Sequence, residues 1–223
     1  MSKLVASVSL IALLVPLVSA CGDDDPPPPK KEKASCTMGT NEGCDSGEVC
    51  EEVEGGAASC FSPLTLNGRV FDLSNDDGIP GARVVASDAN GAAVSSVAVT
   101  DADGHYSLRV PAKRTSGGAV ASTSVTLRAD AQDFLTFPRA PRVALPVELS
   151  GATGDPPALS SALTDIGLIA LTDAPRGSIS GTVLADQPGG ALVVAGGVTG
   201  IADTHGDYAI FNVPAGSVTV EGY

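Results

Sequence analysis

Cysteine offers the clearest chemical options in this sequence. Cys36, Cys44, Cys50 and Cys60 fall within 25 residues, spaced Cys-x7-Cys-x5-Cys-x9-Cys, and Cys21 stands apart. Four such thiols suit two disulfides or one zinc centre. Zinc knuckles want cysteines two to four apart, and no such pair exists here, so two disulfides are expected. Four cysteines allow three pairings, all of which stay open. Met38, Val49 and Val53 are nearly the only large apolar residues of the segment, too few for a core. Disulfides at about 2–4 kcal/mol each would supply what packing cannot. Glu42, Asp45, Glu48, Glu51, Glu52 and Glu54 are spaced unlike any calcium loop and read as a solvated acidic surface. Further on, Asp101-Ala102-Asp103-Gly104 begins as a calcium loop does, but Asp203-Thr204-His205-Gly206 repeats it without the second carboxylate. Neither is followed by a distant bidentate Glu. A turn explains both, and no metal is expected; Asp101 and Asp103 are the only calcium candidates. His105 and His205 have no His or Glu at ligand spacing and read as exposed hairpin residues. The sequence has no nucleophile elbow, P-loop or dinucleotide glycine pattern. Neither an enzyme nor a cofactor is expected.

The elements around these residues begin with an exported N-terminus. Met1-Ser2-Lys3 is a short basic start, and Leu4 to Leu17 is apolar, interrupted by Pro16. At about 14 residues the run falls short of the roughly 20 a spanning helix needs, so it reads as a secretory signal over 1–20. Val18-Ser19-Ala20-Cys21 resembles the bacterial lipobox. By that resemblance Cys21 becomes the first mature residue, carrying diacylglycerol and an N-acyl chain, and anchors the chain in a membrane. In Gram-negative lipoproteins an Asp directly after the lipidated cysteine often retains the protein at the inner membrane. Gly22 departs from that signal and favours the outer membrane. The localisation implied is the bacterial cell envelope. Residues 21–35 hold three Asp, four consecutive Pro and a Lys cluster, a disordered tether that would reach about 40 Å if extended. From Gly22 to Cys60 there are ten acidic and three basic residues, about half of the net charge of -13. A chain this acidic has nothing to displace counterions from nucleic acid. With 26 Gly, 16 Pro and 4% aromatics, it fits short strands and turns rather than long helices.

From Leu64 onward apolar and polar residues alternate between turn signals every 8–12 residues, the spacing of a β-sandwich or barrel. Strands are expected over Leu66–Phe71, Ala82–Ala86, Val94–Thr100, His105–Val110 and Ile166–Leu171, with Asn90-Gly91 as a hairpin turn. The grammar then repeats. Gly181-Thr182-Val183 echoes Gly68-Arg69-Val70, and Gly190 to Val194 echoes Gly81 to Val85. Asp203 to Ile210 echoes Asp101 to Leu108, and Val218 to Tyr223 echoes the stretch from Val125.

Gly-x-Val, Gly-Ala-x-Val, Asp-x-x-Gly-x-Tyr and a Val-Pro-Ala-Gly turn together resemble the carboxypeptidase regulatory-like domain. The resemblance covers about 66–172 and 177–223. It implies an all-β fold of antiparallel Ig-like or transthyretin-like β-sandwich modules in tandem. In that family the Asp-x-x-Gly-x-Tyr element is architectural. Asp101 and Asp203 would cap a turn, Gly104 and Gly206 would take positive φ, and Tyr106 and Tyr208 would enter the core. Copy one carries a long Ser/Gly/Ala-rich insertion, Lys113 to Ser122, and a Pro-rich stretch, Pro138 to Pro157. Copy two ends at Tyr223, where copy one has about 38 residues still to run, so the second module is expected to be incomplete and the chain truncated.

The organisation expected is a lipoprotein signal peptide (1–20), a lipidated Cys21 with its tether (21–35), a two-disulfide module (36–62) and two β modules (64–172 and 177–223). The leading function is a non-catalytic, membrane-anchored surface or periplasmic lipoprotein presenting its β modules for structural or adhesive interaction, with an extracellular protein or polysaccharide as the expected partner besides the membrane. The alternatives are a polysaccharide-binding module, because starch-binding-like domains share this sandwich class, and an N-terminal accessory part of a larger protein. Sugar sites stack rings on exposed Trp or Tyr, and this chain has no Trp and three Tyr.

Overall fold

Apolar residues two apart lay down the strands, and the disulfides lay down the rest. The computed structural model describes residues 35–172 and 176–223; the signal segment, Cys21 and the tether up to residue 34 lie outside the described residues. The fold is all-β. Among the described residues there are fifteen strands, one short 3-10 turn at Leu149–Gly151 and no α-helix.

The cysteine-rich segment forms a two-stranded antiparallel ribbon, β1 (Val49–Glu51) with β2 (Ser59–Phe61), in which Cys50 faces Cys60. Of the three pairings open from sequence, the structure has Cys36–Cys50 and Cys44–Cys60.

The first β unit has two four-stranded sheets. β3 (Leu64–Asp72) pairs antiparallel with β6 (His105–Val110). On its other side β3 pairs with β9 (Ala158–Leu159) and β10 (Ile166–Leu168). The second sheet runs β5 (Ala98–Val99), β4 (Arg83–Ser87), β7 (Ser124–Asp130), β8 (Val147–Glu148). Leu64, Leu66, Val70, Leu108 and Ile166 from the first sheet and Val84, Ala86, Leu127 and Ala129 from the second fill one core. Two expectations need correction. The sheets are not purely antiparallel, because β9 and β10 run parallel to β3. They reach β3 from the opposite sheet, and a strand untied by a tight hairpin is free to enter in the same direction as its neighbour. The strand expected over Val94–Thr100 pairs as a ladder only at Ala98–Val99.

The second unit repeats the pairing at smaller scale. β11 (Gly177–Thr182) pairs with β14 (Asp207–Val213), and β13 (Val198–Ile201), β12 (Leu192–Ala195) and β15 (Val220–Gly222) form a second sheet. The registers follow the sequence repeat except at a bulge between Gly177 and Ile179, where Gly177 faces Val213. Val85 faces Arg128 as Val194 faces Glu221, and Gly68 faces Tyr106 as Gly181 faces Tyr208. Its core is small: Val193, Ala195, Ile210 and Val213 are buried.

Three polar clasps fasten these parts together. Glu51 on β1 is 1% exposed, accepts the Ala112 amide at 3.0 Å and pairs with the Arg114 guanidinium. Arg114, 4% exposed, also donates to Ser62 O at 2.9 Å and lies 4.6 Å over the Phe61 ring. Glu51 is therefore no part of a solvated acidic surface. The Lys113–Ser122 insertion folds against the ribbon and brings the Arg114 guanidinium to the Glu51 carboxylate. Between the β units, Arg128 grips Asp130 at 2.7 Å and reaches Thr199 O and Oγ1 at 2.9 and 2.8 Å. Asn212 donates to Ala131 O and Phe134 O at 2.9 and 2.7 Å and accepts the Asp133 amide at 2.7 Å.

Glu51→Ala should cost about 3–5 kcal/mol in urea unfolding, because Arg114 is left as a buried unpaired charge. Lys113→Ala breaks an ion pair whose side chains are 38% and 60% exposed and should cost less than about 1 kcal/mol. Equal effects would contradict the assignment of the buried pair.

Candidate functional site

The repeated Asp-x-x-Gly-x-Tyr element builds the same local structure twice. Asp101 Oδ1 accepts the amides of Asp103 and His105 at 3.0 and 2.9 Å, and the Gly104 amide donates to Asp101 O at 3.1 Å. Asp203 Oδ1 accepts the amides of His205 and Asp207 at 2.9 and 3.0 Å, and the Gly206 amide donates to Asp203 O at 2.9 Å. Both are Asx turns, with that carboxylate oxygen turned onto backbone donors. Gly104 and Gly206 sit at φ +81° and +89°, where a Cβ would fall 2.3 Å from Val70 O and 2.4 Å from Val183 O. Only glycine fits the turn and its seat against the neighbouring strand.

Two residues beyond each turn glycine, the tyrosine crosses over a second glycine. A Cβ on Gly68 would meet the Tyr106 hydroxyl at 2.8 Å, and one on Gly181 would meet the Tyr208 hydroxyl at 2.8 Å. The missing side chain on β3 or β11 is the slot through which the ring passes. From there the copies part. Tyr106 is 5% exposed and donates to the buried Thr164 carbonyl at 2.6 Å. Thr164 is itself fixed, its hydroxyl donating to Asn67 O at 2.8 Å. Burial, with a smaller contribution from Asp165, pushes the Tyr106 hydroxyl far above the ordinary tyrosine pKa. Tyr208 is only half-buried, and among the described residues its hydroxyl has no hydrogen-bond partner.

The other residues singled out from sequence fall as follows. His105 and His205 are exposed, and His205 Nδ1 lies 4.0 Å from Asp203 Oδ1. Asp103 is exposed, and its carbonyl takes Arg69 Nε at 3.2 Å. The one close group of metal-ligand atom types among the described residues is Cys36, Cys44 and Cys60, with sulfurs within 4.8 Å of one another. All three sulfurs are spent in the two disulfides. Cys21 lies outside the described residues. A groove of about 620 Å³ runs where the disulfide ribbon meets both β units, lined by Met38, Val49, Val94, Pro111 and Gly190, with Arg109 as its single charged side chain.

Sequence reasoning missed Glu51, Arg114, Arg128 and Asn212. Asn212 takes φ +61°, which suits asparagine better than most residues. No protein-family model matches the chain, and no curated protein is measurably similar to it.

Tyr106→Phe removes the donor from a buried carbonyl and should cost about 1–3 kcal/mol, whereas Tyr208→Phe should stay within about 0.5 kcal/mol. Because the folded-state pKa of Tyr106 is raised, its contribution is intact below the ordinary tyrosine pKa of about 10 and is lost as pH climbs beyond it. The wild-type alkaline unfolding profile should therefore fall more steeply than that of Tyr106→Phe; coincident profiles would contradict the burial of an ionisable group there.

Proposed function

We propose that the chain is a non-catalytic lipoprotein of the bacterial cell envelope. It is anchored through Cys21 and presents its β units, raised on the Pro/Asp-rich tether, to an extracellular protein. The observation that carries this reading is the clasping of the disulfide ribbon and both β units into one body by Glu51–Arg114, Arg128–Thr199 and Asn212. A presenting scaffold needs that rigidity, and no chemistry has to be assigned to the residues that provide it. The apolar segment ending in Val18-Ser19-Ala20-Cys21 supports the anchor, and Gly22 favours the outer membrane over the inner.

For the fold we propose two modules of the Ig-like or transthyretin-like sandwich kind, related to carboxypeptidase regulatory-like domains. Two facing sheets around one core in the first unit, and the shared register in the second, support that kinship. The placement of rings weighs against polysaccharide recognition. Of the eight Phe and Tyr residues only Tyr223 is exposed, at 75%, and its hydroxyl is bonded to Glu221 at 2.9 Å. One ring is a poor stacking platform.

Cys21→Ser in a Gram-negative host should abolish labelling with radioactive palmitate and move the protein from the detergent phase to the aqueous phase on Triton X-114 partition. A variant that still partitions with detergent would rule the anchor out.

A further inference from the structure

Charge in the clefts of this molecule is almost always balanced. Four of them set an arginine against an aspartate: Arg142 with Asp165, Arg83 with Asp130, Arg114 with Asp155, and Arg69 with Asp165. The groove of about 620 Å³ where the disulfide ribbon meets both β units departs from this rule, with Arg109 in its lining and no acidic side chain. That is unexpected in a chain of net charge -13. Arg109 faces outward on β6 between the buried Leu108 and Val110. Among the described residues its guanidinium has no ion pair or hydrogen-bond partner, and neither do the hydroxyls of Ser96 and Thr204 in the same groove. Every one of these groups can donate. Around them the wall is apolar: Met38 is 54% exposed, Val49 and Val94 are half-buried, and Pro111 is exposed. Three parts of the molecule build it. Met38 and Val49 come from the ribbon segment, Val94, Arg109 and Pro111 from the first β unit, and Gly190 and Thr204 from the second.

We propose that this groove binds a free alkyl carboxylate, with its carboxylate on Arg109 and its chain along Met38, Val49, Val94 and Pro111. A volume of this order lies within the range of small-molecule sites, which pair a mostly apolar wall with a few placed polar groups. The guanidinium presents a planar fork of donors that a carboxylate meets with both oxygens. One cation with no second basic side chain beside it matches a single negative charge better than a phosphate dianion. Both halves of the ligand are required. A short acid would leave the apolar wall in water, and a neutral alcohol of the same length would leave Arg109 without its counter-charge.

This inference goes beyond the anchored scaffold and does not use Cys21; the anchor can fail its partition test while the groove still binds. The experiment is equilibrium dialysis of radiolabelled laurate against the purified full-length chain, with butyrate, dodecanol and dodecyl phosphate as competitors. Laurate should bind saturably with about one equivalent per chain, and butyrate and dodecanol should each compete at least about tenfold more weakly. Arg109→Gln and Met38→Asp, both at exposed positions, should each weaken laurate about tenfold or more. Arg109→Lys keeps the charge without the fork and should weaken it less than Arg109→Gln does. The urea unfolding midpoint of Arg109→Gln should match the wild type, because no partner is lost. By hydrogen-exchange mass spectrometry, laurate should slow exchange over 36–41 and 93–96. No saturable binding at about 0.1 mM laurate, unchanged affinity in Arg109→Gln or Met38→Asp, or protection confined to other segments would overturn the site. Dodecanol binding as tightly as laurate would overturn the role of Arg109, and tighter binding of dodecyl phosphate would overturn the carboxylate.

Discussion

The buried pair of Glu51 and Arg114 is the constraint on which the arrangement of this molecule depends. Taking a carboxylate and a guanidinium out of water is costly, and the cost is offset only where geometry and further hydrogen bonds are good. Here they are: Glu51 also accepts the Ala112 amide, and Arg114 also donates to Ser62 O and covers the Phe61 ring. Neither charge tolerates the other's departure, so the disulfide ribbon and the first β unit have one way to meet. The ribbon lacks the apolar residues for a core of its own. Its two disulfides restrict the unfolded chain, and its docking against the insertion provides the burial that its composition cannot. Phe61, at 4% exposure, is buried by that docking.

Duplication gives the fold a control experiment within one chain. The Asx turns recur in both copies, as do the glycine slots beneath the tyrosines, and the ladder registers match except at the bulge between Gly177 and Ile179. Local rules therefore suffice for the strand pairs. They do not suffice for the core. Tyr106 is sealed by residues some 58 positions along the chain, where the Thr164 carbonyl takes its hydroxyl; Tyr208, in the matching Asp-x-x-Gly-x-Tyr element, is half-buried. Closure of this kind is a long-range event.

What could be read from the sequence follows the same division. The turns at Asp101 and Asp203, the two-residue alternation on β3 and β6, and the repeat register were legible, because spacing alone encodes them. Glu51 was not, since a glutamate among five other acidic residues looks like one more solvated charge. Its partner sits 63 residues away in a segment that reads as a Ser/Gly/Ala-rich insertion. Arg128 and Arg83 were invisible for a related reason. They belong to the outward face of the second sheet, where a charge is ordinary, and only the docking of the second unit gives them Thr199 and Asp207 as partners. The parallel entry of β10 escaped as well, because periodicity specifies which residues face inward and not the direction of the strand.

Buried polar contacts join the disulfide ribbon and both β units into a single arrangement. Its central requirement is that the described parts unfold together. Native-state hydrogen exchange tests this at the junctions, through the Ala112 amide held by Glu51 and the Asp133 amide held by Asn212. The account predicts that both exchange with the same free energy as core amides of β3 and β6, through global unfolding. Exchange at either junction that is faster by several orders of magnitude, with the β3 and β6 amides still protected, would mean that the modules move independently and would contradict it.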